Sequence, residues 1–99
     1  MNPDRLDSSK LITTAGGETT ILAESGRIRG FIILTDGTNA ATLVIHDGPV
    51  ATGPLQLKGK CGGSAFMSGA ILDGAIKCGT SIVAQVTGTG AEALILYSK

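Results

Sequence analysis

The chain has 99 residues, with eight Lys or Arg against eight Asp or Glu, fifteen glycines and three aromatic side chains. A formal net charge of zero provides no field to draw it onto nucleic acid or an anionic membrane. A chain this short holds one core and buries only roughly 60–65% of the surface its unfolded form exposes, so association would help it.

Residues 1–9 are polar, mixed in charge and without periodicity, and read as an N-terminal arm ahead of one domain at 10–99. The opening Met1-Asn2-Pro3-Asp4-Arg5-Leu6-Asp7 has no basic region followed by an apolar stretch, so no secretory signal is expected. Phe31, Phe66 and Tyr97 are the only aromatics, which leaves the core to Ile, Leu and Val, residues that suit a pleated, half-buried surface.

Strand-like segments of four to eight residues then alternate with turn chemistry. Lys10–Thr14 and Glu18–Ala23 flank Ala15-Gly16-Gly17 and predict a hairpin. Arg27–Thr35 is the most apolar segment, with Phe31 and Ile33 on one face and Ile32 and Leu34 on the other. In a two-sheet sandwich one of those faces meets the core and the other needs cover from a loop, a helix or another subunit. Asp36-Gly37-Thr38-Asn39 predicts a turn, with Ala41–His46 as the return strand of a central hairpin.

Pro49 ends that strand and a loop runs to Gly53-Pro54, after which Leu55 and Leu57 alternate with Gln56 and Lys58. Gly59–Gly69 is glycine-rich around Ala65-Phe66-Met67, and Leu72-Asp73-Gly74-Ala75 reads as a turn before a short strand at Ile76–Cys78. Ser81–Thr87 places Ile82, Ala84 and Val86 inward, and Gly88-Thr89-Gly90 predicts a hairpin turn into Ala91–Tyr97. In that last strand Leu94 and Leu96 share one face, Ile95 and Tyr97 the other. The expected fold is therefore all-β: an antiparallel sandwich of jelly-roll type with eight or nine short strands.

Catalytic chemistry finds little to work with. His46 is the one histidine and stands beside Asp47 at a strand end. Asp36, Asp47 and Asp73 each sit in glycine-bearing turns, where aspartate serves the backbone without any chemistry. Gly88-Thr89-Gly90-Ala91 lacks the lysine and helix of a phosphate loop. Cys61 and Cys78 belong to no CxxC and too few histidines accompany them for a zinc site, so two buried free thiols are expected, with a disulfide as the alternative. No catalytic residue, metal or cofactor is assigned, and the chain is not expected to be an enzyme. Arg27 and Arg29, with Lys58 and Lys60, form a candidate basic edge if their strands are neighbours; alternating cations of this kind also serve to blunt a sheet edge.

Asp73 to Ala91 with the final Ile95-Leu96-Tyr97, and Arg27-Ile28-Arg29-Gly30-Phe31-Ile32-Ile33, together resemble the closing and central strands of small β-sandwich virion proteins of tailed bacteriophages. The resemblance covers about half of the chain and consists of turn glycines and alternating apolar residues. It implies a structural subunit of the virion, made in the host cytoplasm: a capsid decoration or cementing protein bound to the major capsid protein, or a neck or tail component. It further implies a symmetric homo-oligomer, a trimer favoured; the zero net charge and few aromatics lead to no expected nucleic-acid or membrane partner. The candidate contacts with coat or sister subunits are Asn2, Pro3, Asp4, Arg5 and Leu6 of the arm, and Phe31 and Ile33. The competing reading is a small glycan-binding module using Asp47–Pro54 or Gly59–Gly69, disfavoured by the lack of tryptophan.

Overall fold

The computed structural model describes residues 8–48 and 53–99, with the backbone alone at residues 73–75. Eight strands run β1 (Ser8–Thr13), β2 (Thr19–Leu22), β3 (Gly26–Leu34), β4 (Ala41–Asp47), β5 (Leu55–Cys61), β6 (Met67–Cys78), β7 (Ile82–Thr87) and β8 (Glu92–Ser98). A single 3-10 turn at Thr14–Gly16 is the one helical element among the described residues. The strands form a β-sandwich of two four-stranded antiparallel sheets, the first in the order β1-β8-β3-β6 and the second β2-β7-β4-β5.

The pairing is nested: β1 with β8, β2 with β7, β3 with β6 and β4 with β5. The chain thus resembles one long hairpin folded over, so that successive pairs fall in alternate sheets.

This nesting overturns three local expectations. Lys10–Thr14 and Glu18–Ala23 do not form a hairpin, because β1 lies in the first sheet and β2 in the second. The Asp36–Asn39 turn likewise carries the chain from β3 in one sheet to β4 in the other, and Gly88–Gly90 carries it from β7 to β8. Glycine and Asx turns reverse a chain equally well within a sheet and between sheets, and the partner is set by which apolar faces must meet.

A further difference lies in β6, which passes straight through the expected turn at residues 72–75. There the register with β3 shifts: Gly30 stands opposite Ile71 and Ile28 opposite Ile76, so four β6 residues oppose Arg29 alone. The turn chemistry is absorbed as a bulge, which bends a strand without ending it. Arg29 is also the extra residue against β8, where Ile28 faces Tyr97 and Gly30 faces Leu96. That extra residue changes the phase of β3, so Ile28 and Ile33, five positions apart, both reach the core.

The core lies between the sheets. Ile12, Ile28, Ile33, Ala93 and Ile95 come from the first sheet, and Ile21, Leu43, Ile45, Ile82, Ala84 and Val86 from the second. The expected inward set of β7 is thus seen, and each large aliphatic side chain buried this way contributes about 1.5–3 kcal/mol relative to solvent. Cys61 and Cys78 are buried free thiols that behave as small hydrophobes in this core.

Candidate interaction surface

The groups considered for catalysis serve the backbone. The Asp36 carboxylate accepts the N–H of Thr38 and of Asn39, each at 2.8 Å, and the Asn39 side-chain amide at 2.9 Å. These bonds hold its carboxyl below the usual carboxylate range, the Asn39 backbone bond foremost. Asp47 reaches across to the β6–β7 connection, accepting from the N–H of Gly79 and Thr80 at 2.9 Å each and of Ser81 at 3.4 Å. Its pKa is lowered by those donors, Gly79 first. His46 turns Nδ1 to the Gly53 carbonyl oxygen at 3.1 Å, which the N–H tautomer satisfies by donating. Among the described residues no group of three or more His, Cys, Asp or Glu side chains is placed to hold a metal ion. The side chain of Asp73 lies outside the described residues, as do Asn2, Pro3, Asp4, Arg5 and Leu6 of the arm.

The candidate basic edge divides between the two sheets. Arg27 and Arg29 lie on β3 within the first sheet, whereas Lys58 and Lys60 lie on β5 at the edge of the second, so the four do not form one stripe. Arg29 donates from Nε to Ser98 Oγ at 2.9 Å, binding the bulge to β8. Arg27 stands directly opposite Lys77.

Phe31 and Ile33 turn inward and not toward a partner. A Cβ built on Gly59 of β5 would lie 3.1 Å from Ile33 Cδ1 and 3.2 Å from Phe31 Cε2, which places both rows across the sandwich interior. Ile33 is fully buried and Phe31 packs half-buried against the core. Burial inside the domain therefore removes Ile33 from the candidate contact set. The segment does have a second apolar face, and it is the one carrying Ile32 and Leu34.

Register extends that face across all four strands of the first sheet, with Ser9, Thr13 and Glu92 as polar members at its margins and the exposed Arg27–Lys77 pair beyond the bulge. One row across the strands reads Leu11, Leu94, Ile32, Gly69; the next reads Ser9, Leu96, Gly30, Ile71; a third reads Thr13, Glu92, Leu34, Met67. Leu11, Met67 and Ile71 are 51%, 62% and 76% exposed, while Ile32, Leu34, Leu94 and Leu96 are half-buried by one another. Phe31, Ile32, Met67, Gly69, Ala70 and Ile71 line a shallow hollow of about 340 Å³ near its β6 side.

The outer face of the second sheet is different in kind. Its rows read Thr87, Thr42, Lys60 and then Gln85, Val44, Lys58, with Thr20 and His46 flanking a buried Val83. One broad face of the sandwich is aliphatic at its centre, and the other is mainly hydroxyl-, amide- and lysine-bearing. Apolar patches that span a whole sheet are uncommon on free monomers and mark surfaces that are covered in use.

Leu94 and Leu96 were visible in the sequence as a second face of the last strand. What no local pattern disclosed is that β1, β8, β3 and β6 align those residues into one surface, since their register is fixed by pairings as distant as Ser8 with Tyr97. No helix among the described residues is long and apolar enough to cross a membrane. No protein-family model matches the chain, and no curated protein or solved structure matches it either.

Proposed function

We propose that the chain is a non-enzymatic structural subunit of a tailed-bacteriophage particle, a capsid decoration or cementing protein whose first sheet lies against coat subunits. The observation that carries this reading is the two-faced sandwich: an aliphatic outer face built from Leu11, Ile32, Leu34, Leu94, Leu96 and Ile71, opposite a hydrated face with Lys58 and Lys60. A protein that coats a shell needs one surface that adheres and one that stays in water, and burying aliphatic area is the non-directional force best suited to the first. The nested pairing of the eight strands supports the jelly-roll reading of the sandwich. The choice of a virion over other assemblies follows from the likeness of residues 27–33 and 73–97 to small phage sandwich proteins.

The test is mass spectrometry of purified particles alongside co-sedimentation of the added protein with them. The chain is expected in particles at a fixed ratio to the major coat protein, and Ile32→Asp is expected to abolish co-sedimentation while the free protein keeps its circular dichroism. Absence from particles together with no co-sedimentation overturns the proposal. Electron microscopy of the labelled protein at a neck or tail, instead of over the shell, replaces the decoration role with the other virion position.

A further inference from the structure

We propose that two copies of this chain join edge to edge through β6, antiparallel about a two-fold axis at Gly69, so that Met67 of each copy lies opposite the partner's Ile71.

A sheet edge offers N–H and C=O groups to any extended strand, and natural proteins blunt their edges with short strands, lysines or bulges. Three of the four edges here are treated in that way. β1 carries Lys10, β2 is four residues long with a register shift between Thr20 and Leu22, and β5 carries Lys58 and Lys60. The Met67–Ile71 part of β6 has no such device. Its only irregularity, at residues 72–75, lies beyond it.

The hydrogen-bond phase of β6 follows from one contact. The Thr35 N–H donates to the Phe66 carbonyl at 2.9 Å. In an antiparallel ladder, bonded and non-bonded pairs alternate, so Phe66, Ser68 and Ala70 exchange bonds with β3, while Met67, Gly69 and Ile71 direct theirs to the open edge. Two of the three, Met67 and Ile71, place their side chains on the aliphatic outer face, where they are the most exposed members.

An identical strand is the occupant these features fit. Between Lys60 and Asp73 the sequence has no charged residue, so a two-fold arrangement brings no like charges together. A partner with a charged strand would find no counter-charge along this edge. With the axis at Gly69, the two glycines form a bonded pair and the flanking Met67 and Ile71 form two more, giving apolar cover to both side chains. The two first sheets then continue as one eight-stranded sheet, and the aliphatic patches at their centres meet across the Met67–Ile71 pairs. This pairing stands apart from the virion reading, since a dimer that never enters a particle would sustain the one and overturn the other.

The experiment is sedimentation equilibrium of the full chain, with cysteine cross-linking to fix the register. Wild type is expected to sediment as a dimer, and Ile71→Lys, at an exposed position, as a monomer with an unchanged circular dichroism spectrum. The double variant Met67→Cys/Ile71→Cys is expected to form a covalent dimer with a short bismaleimide. Each single variant is expected to stay monomeric on the gel, because its two thiols lie roughly 14 Å apart along the strands. A wild-type monomer or trimer, a dimer that persists in Ile71→Lys, or single variants that cross-link as well as the double overturns the proposal.

Discussion

Asp47 at the end of β4 accepts the backbone N–H of Thr80 at 2.9 Å, and this bond fastens the β4–β5 side of the second sheet to the connection leaving the first. Gly79 and Ser81 donate to the same carboxylate, so one side chain orders three residues between β6 and β7. The Asp47 N–H donates to the Pro54 carbonyl at 2.9 Å, which closes the loop on the other side.

The first prediction concerns acid. The pKa of Asp47 is lowered in the fold from an ordinary 3.8, so the stability it contributes is present in full above that value and is lost as pH falls through the folded pKa. Asp36 acts in the same direction through its bonds to Asn39 and Thr38. Asp47→Ala is expected to lower the urea midpoint near neutral pH. Asp47→Asn, which keeps one acceptor oxygen, lowers it less, and both variants show a shallower loss of stability below about pH 4 than wild type. Urea titrations from neutral to acid pH check this; an unchanged acid limb in both variants contradicts it.

A second prediction follows from the same carboxylate. Burial pushes the Cys78 thiol up from 9.0 to about 11, and the negative charge of Asp47 adds to the shift. Since the thiolate is the reactive form, native Cys78 resists alkylation and reacts on unfolding. The raised pKa stabilises the fold fully below the unfolded value near 9 and is lost as pH rises through about 11. Iodoacetamide labelling followed by intact mass should give no fast addition in buffer and two additions in denaturant. Cys78→Ala should flatten the alkaline limb of the stability curve.

How much of this was legible in the sequence depends on the range over which each feature is decided. The alternation of Ile82, Ala84 and Val86 and the Asx geometry of Asp36 are written in adjacent residues, and both are present. The β-sandwich itself follows from short alternating segments between turns. The hairpins at Ala15-Gly16-Gly17 and Gly88-Thr89-Gly90 failed because a turn states that the chain reverses and not into which sheet. Asp73-Gly74 failed for a related reason: long pairing of β6 with β3 carries the ladder past a local turn preference. The two-sidedness of the third strand was legible, but its assignment was not. The Phe31–Leu34 segment does have one face for the core and one beyond it, but the bulge at Arg29 and the partner strands decide that Ile32 and Leu34 are the outer pair.

A third prediction separates two glycines. Gly88 has φ +122°, and a Cβ there would come 2.2 Å from the Ala40 carbonyl oxygen, a backbone atom that cannot move aside. Gly62 has an unstrained φ and nothing within 4 Å of the Cβ position. Gly88→Ala should therefore destabilise by more than about 1 kcal/mol, through backbone strain and the clash together. Gly62→Ala should be neutral or slightly stabilising, since it narrows the unfolded ensemble. Paired urea titrations decide it, and equal midpoints for the two variants would count against the placement of the β7–β8 turn.

The last prediction contrasts two isoleucines that the sandwich uses oppositely. Ile45, fully buried, lies between Ala84 and Leu57 in the second sheet and faces the core. Its truncation to alanine leaves a cavity among close-packed neighbours and should cost about 2–5 kcal/mol in urea unfolding. Ile71, 76% exposed on the first sheet, loses little on truncation within a single copy, within about 0.5 kcal/mol. If Ile71 is covered by a second copy, Ile71→Ala should weaken self-association, lower apparent stability at high protein concentration and make it depend less steeply on concentration, because a partner that binds only the folded form stabilises it by mass action. Melts over a hundredfold range of concentration read both effects. Concentration-independent melting of the wild type would leave Ile71 a solvent-facing side chain and restrict the aliphatic surface to contacts with a different molecule.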